Sequence, residues 1–237
     1  MHNKISHRWK EIGVVGGLGP RASAYFYETI INLCSDQYDA ILDHEYPRIT
    51  LHSLASDGLS EMGKAEENLI QEINEVLMKF AMQGLELVAI PCNSIFAHFD
   101  NLFTNDKLKV INLPKILADR VAGIGAKNVG ILCSQELRDS GAYDPYFNKK
   151  GVTPHYPDSS RQAIVNKSIM DVMGNKHSDE TVQNLMQIIS DISVQNESVL
   201  IACTELSVLL SSSPLSNKVF DSTLILCEET LDCAFEL

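Results

Sequence analysis

The chain is poor in basic residues and has no long apolar run. It carries 19 Lys and Arg against 31 Asp and Glu, which gives a formal net charge of −12 at pH 7. Nucleic acids and anionic membranes are bound through clustered cations, so this balance argues against both as partners. A membrane span needs about 18 consecutive apolar residues, which the sequence nowhere provides, and residues 1–11 are polar. We therefore expect a soluble, cytoplasmic protein that acts on a small molecule.

Closely spaced cysteine or histidine pairs are also missing. The six cysteines include no C-x-x-C pair, and no two histidines stand four positions apart. Structural zinc sites usually draw their ligands from such pairs, and structural disulfides are rare in cytosolic proteins. We expect neither a metal site nor a disulfide framework, and we interpret Cys34, Cys133, Cys227 and Cys233 as small buried hydrophobic residues.

The other two cysteines, Cys92 and Cys203, follow similar apolar runs. Residues 86–94 read ELVAIPCNS and residues 197–205 read ESVLIACTE. A run of this kind is typical of a parallel strand covered on both faces, and open α/β sheets bind ligands where such strands end. The pattern predicts two thiols at equivalent positions of two related units, which would project into the cleft between them from opposite sides.

The second half of the chain echoes the first beyond these two segments. Residues 12–17 read IGVVGG and residues 129–134 read VGILCS, and amphipathic helix patterns cover residues 66–82 and 179–195. Strands that alternate with helices of this length favour βαβ units and parallel sheets. We predict an α/β fold of two similar Rossmann- or flavodoxin-like domains.

The boundary between these domains is predicted just before Pro114, which can open a helix. The first domain then comprises residues 1–112 and 221–237, and the second comprises residues 113–220. The predicted strands lie near residues 11–16, 48–53, 109–113, 128–133, 152–155, 198–202 and 219–221, with one more that ends at Cys92. A last helix is predicted over residues 222–235.

The glycine-rich turn after the first strand invites a dinucleotide interpretation. Residues 17–22 read GLGPRA, which matches G-x-G-x-x-A. That fingerprint also needs an acidic residue at the end of the second strand to hold the ribose, and His52 and Ser53 occupy this place. We therefore do not expect NAD or FAD, and we predict instead that Gly17 brings bare backbone close to a small ligand.

Two thiols that face one carbon centre have the geometry for inverting it. A thiolate takes a proton from one face as a base, and a thiol returns a proton to the other face as an acid. The backbone N–H groups at Asn93, Ser94, Thr204 and Glu205 are predicted at helix starts, where they could hold a carboxylate. The alternative is that Asn93, Ser94 and Thr204 only cap helices.

Four segments resemble signature segments of the aspartate/glutamate racemase family, in the order in which that family has them. They are residues 16–20 (GGLGP), 91–94 (PCNS), 140–143 (SGAY) and 202–206 (ACTEL). The resemblance implies an amino-acid racemase that needs no cofactor, with two α/β domains related by pseudo-twofold symmetry and with Cys92 and Cys203 as the acid/base pair. It further implies that Asn93, Ser94, Thr204 and Ser134 contact the substrate and that the protein is a homodimer.

The sequence departs from this family in the residues expected to choose the substrate. Aspartate-specific members that resemble this chain have Asp-Arg-Thr where residues 57–59 read DGL, so Gly58 replaces the arginine that would bind the side-chain carboxylate. Aspartate is therefore not favoured. The family also has a basic residue near the end of the helix at 161–173, which Lys167 or Lys176 could supply. Members commonly have a histidine where this chain has Phe96, and His98 lies two positions further along.

Two other functions fit the same residues. One is a related isomerase or decarboxylase that uses a single cysteine as nucleophile, although it would have no need of the second thiol. The other is a small-molecule binding protein without catalysis, which the missing arginine would suit. The loop at residues 54–62 and the segment at 134–143 are the predicted determinants of specificity.

Overall fold

The structure is a computed structural model that describes residues 8–55 and 64–236 of the 237-residue chain. Its strands are β1 (Arg8–Trp9), β2 (Ile12–Gly16), β3 (Ile49–Ser53), β4 (Leu87–Ala89), β5 (Lys109–Val110), β6 (Asn128–Cys133), β7 (Thr153–His155), β8 (Ser198–Ala202), β9 (Val219–Asp221) and β10 (Phe235–Glu236). Its α-helices are α1 (Pro20–Tyr38), α2 (Lys64–Gln83), α3 (Leu113–Gly123), α4 (Gln135–Ser140), α5 (Asp144–Lys149), α6 (Ser159–Met173), α7 (Asp179–Gln195), α8 (Thr204–Leu210) and α9 (Ser222–Ala234). Gly58 and most of the predicted specificity loop at 54–62 lie outside the described residues.

The chain divides into two compact units. Unit 1 comprises Met1–Pro91, Asp100–Ile111 and Leu226–Leu237, and unit 2 comprises Cys92–Phe99 and Asn112–Ile225. Both Cys92 and Cys203 therefore belong to unit 2. Compactness alone does not define a folding domain, so the domain boundaries given above stay a prediction.

Unit 1 is built on a four-stranded parallel sheet with the order β3-β2-β4-β5. The central strand β2 is buried along its whole length, as its apolar sequence predicts. The amphipathic pattern of α2 is also confirmed, because one face of the helix is buried through Leu69, Ile73, Val76, Leu77 and Phe80. A separate antiparallel pair joins β1 to β10.

Unit 2 repeats this strand order in a second four-stranded parallel sheet, β7-β6-β8-β9. In each sheet the strand that comes first along the chain lies between the second and the third. Strand β6 is buried from its second residue onward, and β8 is buried throughout. The predicted α/β class with two parallel sheets is confirmed.

The register of β6 against β8 positions the chain segments that follow these strands. Cys133 pairs with Ala202 at the carboxyl end of the ladder. The next residues, Ser134 and Cys203, therefore leave the sheet at the same edge and the same level. This is the edge at which α/β sheets bind ligands.

Helix termini follow the signals in the sequence. Pro20 occupies the first turn of α1, after Gly19 at the N-cap with a φ of 95°. Asp158 caps α6, and Ser178 forms a capping box with Thr181 at the start of α7. No helix among the residues that the structure describes is long and apolar enough to cross a membrane.

Some elements differ from their predicted bounds. Strand β4 ends at Ala89 rather than at Cys92, since Pro91 has no N–H with which to continue the ladder. The pairing of β1 with β10 was not predicted. It is stabilised by an aromatic cluster in which the ring of Trp9 lies 5.0 Å from that of Tyr38 and 4.9 Å from that of Phe235.

Candidate active site

Each of the two predicted thiols lies between the end of a strand and the start of a short helix. Cys203 directly follows β8 and is the N-cap residue of α8. Cys92 follows β4 and precedes a 3-10 helix over Ser94–Asn101. Both side chains are buried, with 7% of each exposed.

The two sulfurs accept hydrogen bonds from equivalent backbone N–H groups. The N–H groups of Ser94 and Ile95 hydrogen-bond the sulfur of Cys92, and those of Glu205 and Leu206 hydrogen-bond the sulfur of Cys203. In both cases the donors are the second and third residues after the cysteine. These bonds favour the thiolate and lower the pKa of each thiol. The sequence echo therefore extends to local hydrogen bonding.

Burial acts in the opposite direction and is the larger influence. Removal from water raises the pKa of Cys92 to about 12, and it raises the pKa of Cys203 well above its ordinary value. No cation is among the largest influences on either group. Both side chains are therefore neutral thiols at pH 7 in the ligand-free protein.

Glu205 is a buried carboxylate in contact with one thiol. Its Oε2 atom accepts hydrogen bonds from Cys203 Sγ at 3.3 Å and from Thr204 Oγ1 at 3.1 Å. After burial, the charge of Glu205 and its hydrogen bond are the next causes of the raised pKa of Cys203, and its charge also raises the pKa of Cys92. Both thiols thus lie within the electrostatic reach of one carboxylate.

Two predicted substrate-binding serines are adjacent in unit 2. The hydroxyl oxygens of Ser94 and Ser134 lie 3.1 Å apart, and both residues are partly exposed. Ser134 also caps α4, because its Oγ accepts the N–H of Leu137 at 3.3 Å. A pair of hydroxyls beside the thiols could donate hydrogen bonds to a carboxylate.

Asn93 has buried partners at both ends of its side-chain amide. The hydroxyl of Tyr143 donates to its Oδ1 atom at 2.7 Å, and its Nδ2 atom donates to Ser222 Oγ at 3.0 Å. Sequence reasoning did not assign a role to Tyr143, although it ends the SGAY segment that resembles the racemase family. We use the name thiol cluster for the two thiols and the neighbouring polar residues described above: Cys92, Asn93, Ser94, Ser134, Tyr143, Cys203, Thr204 and Glu205.

Gly17 and Lys167, the two other predicted site residues, have partners outside this cluster. Gly17 belongs to unit 1, and its N–H donates to Ser23 Oγ at 2.9 Å. Its φ is 85°, and a Cβ atom there would lie 2.1 Å from the carbonyl oxygen of Leu54, so glycine is required for this turn. Lys167 is exposed on α6 and pairs with Asp171 Oδ2 at 2.5 Å. Substrate binding by Gly17 and Lys167 stays a prediction.

The described residues also lack a candidate metal site. Within 8–55 and 64–236 there is no group of three or more His, Cys, Asp or Glu side chains that could hold a metal ion. The polar groups of the thiol cluster instead hydrogen-bond one another and the backbone. The arrangement offers proton donors and acceptors together with hydrogen-bond donors for an anion.

The chain is similar to known racemases over nearly its whole length. The chain is 22% identical over 222 residues to the broad specificity amino-acid racemase RacX of Bacillus subtilis (strain 168). The aligned region covers 93% of this chain and 96% of RacX. The Picrophilus torridus aspartate racemase has a similar structure, with a TM-score of 0.79, 23% identity and 96% of both chains covered.

Glutamate racemase from Francisella tularensis, solved with D-glutamate, is more distant. Its TM-score is 0.63 at 15% identity, over 94% of this chain and 80% of that one. Residues 15–230 match the family described as Asp/Glu/Hydantoin racemase. The chain therefore belongs to the Asp/Glu/Hydantoin racemase family and is an isomerase.

Proposed function

We propose that this protein is an amino-acid racemase that needs no cofactor and uses Cys92 and Cys203 to exchange the α-proton. The observation that carries the proposal is the pair of buried thiols in unit 2 with the same backbone donors on each sulfur. An enzyme that uses one cysteine as a nucleophile would not need a second thiol with the same backbone donors. The family membership supports the reaction class.

The reaction consists of two proton transfers. One cysteine, as thiolate, takes the proton from Cα, and the electron pair of the broken C–H bond is delocalised into the α-carboxylate. The other cysteine, as thiol, gives its proton to the opposite face of Cα. The first cysteine ends as thiol and the second as thiolate, and exchange of protons with water restores the starting state.

The substrate itself supplies the charge that ionises a thiol. Both thiols are neutral in the ligand-free protein because burial raises the pKa of each. An amino acid brings a positive α-ammonium group into the same dry surroundings, where the attraction between opposite charges is strong. Thiolate formation is therefore coupled to substrate binding.

Glu205 makes the two thiols unequal. Cys203 donates its proton in a hydrogen bond to the Glu205 carboxylate, so ionising Cys203 would place two negative charges in contact. Cys92 has no such bond, and it is affected by Glu205 through charge alone. We expect Cys92 to be the first to ionise and Cys203 to remain the proton donor.

The α-carboxylate is assigned to the hydroxyls around the thiols. Ser94 and Ser134 present adjacent, partly exposed hydroxyls, and Thr204 follows Cys203 directly. Hydrogen-bond donors at this place stabilise the charge that builds on the carboxylate as the α-proton leaves. The thiol cluster and the family membership support these assignments.

The side chain of the substrate is not expected to be acidic. Gly58 replaces the arginine of the aspartate-specific segment, and the carboxylate that lies beside the thiols is Glu205. The name of RacX, a broad specificity amino-acid racemase, supports a screen across many amino acids. We also keep the expectation of a homodimer in the cytoplasm.

The proposal is tested by Cys92→Ser and Cys203→Ser. Each variant should racemise an L- or D-amino acid at least about a hundredfold more slowly than the wild type, which is the usual effect of removing a general acid or base. Circular dichroism of the amino-acid solution measures the rate. Cys133→Ala is the control, since Cys133 is buried in unit 2 but has no part in the reaction. Wild-type rates in either serine variant would contradict the proposal.

A further inference from the structure

We infer that Tyr143 is a positioning residue for Cys92, because its hydroxyl fixes the amide of the next residue, Asn93. This inference rests on the proposed racemase function. Tyr143 is the N-cap residue of α5 and is fully buried, with 0% of its side chain exposed. A buried phenol needs a partner for its hydroxyl, and this partner lies in the Cys92 segment.

The amide of Asn93 is held from two distant parts of the chain. Tyr143 donates to Oδ1 at 2.7 Å, and Nδ2 donates to Ser222 Oγ at 3.0 Å. Asn93 and Ser222 are 3% and 0% exposed, so water does not replace either bond. These two side-chain bonds restrain the backbone of Asn93 and therefore the position of the adjacent Cys92.

This arrangement gives Asn93 a role different from the one expected from the sequence. An asparagine side chain has two donor hydrogens and two acceptor lone pairs, and one of each is used inside the protein. Its main task is then to connect Tyr143 to the thiol segment. Contact with a substrate could use only the capacity that remains.

Tyr143 does not carry protons in this role. Burial raises the pKa of its phenol well above the ordinary value, and a negative charge on Cys133, Cys92, Tyr156 or Cys203 would raise it further. The phenol stays neutral over the whole range in which a racemase works, so it acts as a fixed hydrogen-bond donor. Its contact with the proposed acid/base groups is indirect, through the side chain of Asn93 next to Cys92.

Loss of the hydroxyl should therefore affect the proton-transfer step more than binding. Small displacements of a catalytic group lower the rate strongly, whereas the groups assigned to the α-carboxylate are unchanged. Tyr143→Phe keeps the ring in the core and removes only the donor. We expect kcat to fall about tenfold, as for loss of one hydrogen bond, and KM to stay within about twofold.

The matched control is Tyr146→Phe. Tyr146 lies in the same unit, and its hydroxyl accepts a hydrogen bond from the amide of Asn112 at 3.3 Å. Both variants lose a phenol–asparagine bond, but only Tyr143 is bonded beside a thiol. Tyr146→Phe should keep wild-type kcat and KM. Equal losses in the two variants would show a general effect on stability and would overturn the inference.

A second readout separates this inference from the proposed function. Alkylation of Cys92 by iodoacetamide, followed by peptide mass spectrometry, needs no substrate. We expect it to become several-fold faster in Tyr143→Phe, because the segment is no longer fixed, and to be unchanged in Tyr146→Phe. If the wild type racemises no amino acid, the proposed function fails, yet this comparison still decides the role of Tyr143.

Ser222→Ala provides the independent test if Tyr143→Phe does not fold. It removes the other bond of the same amide and should change kcat and Cys92 alkylation in the same direction. When Tyr143→Phe does fold, the double variant should be less impaired than the two single effects multiplied together, because both act through Asn93. Cys92 alkylation within twofold of the wild type in the folded variants would overturn the inference.

Discussion

At the scale of single residues, opposing influences act on the thiols. Backbone N–H groups favour the thiolate, while burial and Glu205 favour the thiol and dominate. A thiol that is neutral until substrate arrives is protected from alkylation and oxidation, since the thiolate is the reactive form. In the proposed mechanism, the same arrangement would make catalysis depend on the charge that the substrate brings.

Glu205→Gln is predicted to make Cys203 easier to ionise. The amide keeps an acceptor for the thiol but removes the negative charge, so the pKa of Cys203 should fall most and that of Cys92 should fall less. The measurement is the alkylation rate of each cysteine against pH in the ligand-free protein, resolved by peptide mass spectrometry.

The control for this variant is Glu180→Gln, which removes an exposed carboxylate from the first turn of α7. It should leave both alkylation profiles unchanged. An unchanged Cys203 profile in Glu205→Gln would show that burial alone keeps the thiol neutral and would remove the reason for treating the two cysteines as unequal.

At the scale of elements, equivalent glycines let a helix approach a strand in each unit. A Cβ atom on Gly13 of β2 would lie 2.7 Å from Phe80 Cδ2 of α2, and one on Gly130 of β6 would lie 2.1 Å from Ile192 Cγ2 of α7. The two glycines occupy the same place in the sequence echo of residues 12–17 and 129–134. The internal repeat thus includes a packing feature as well as the thiols.

Gly130→Ala is predicted to destabilise the protein by about 1–3 kcal/mol, the usual cost of overpacking a tight core. Gly123→Ala is the control, because Gly123 ends α3 and a Cβ built there meets no atom within 4 Å among the described residues, apart from its chain neighbours and the backbone of its own helix. This control should be neutral, or stabilising by up to about 1 kcal/mol. Urea unfolding followed by far-UV circular dichroism measures both. Equal stability of the two variants would contradict the close approach of α7.

The elements with a strong local pattern were predictable. Helix α7 has the predicted bounds, and β6 and β8 match the predicted strands closely, because apolar runs and helix periodicity identify them directly. The antiparallel pair of β1 and β10 was not predictable, since it joins segments at opposite ends of the chain.

The thiol cluster was predictable to a similar degree. Both cysteines and their neighbours follow strand ends, which the sequence shows. The contact of Tyr143 with Asn93 depends on tertiary packing and leaves no local pattern. The position of Lys167 is set by which face of α6 is exposed, and a resemblance between sequences does not determine that face.

At the scale of the whole molecule, the chain has a formal charge of −12, and one of its carboxylates, Glu205, is buried against a thiol. The acidic residues are mostly exposed, whereas the thiols and Tyr143 are buried and neutral at pH 7. The family match covers residues 15–230 and thus both sheets. Central to the proposed mechanism is that two different cysteines transfer the proton on opposite faces of one carbon.

Racemisation in deuterated water tests this claim most directly. The amino acid that the screen identifies is incubated with the wild type, stopped at low conversion, and separated into enantiomers for mass spectrometry. Two acid/base groups predict about one deuterium at Cα of the product and almost none in the remaining substrate. Unlabelled product, or equal labelling of both enantiomers from the start, would mean that one group handles both faces and would contradict the two-thiol mechanism.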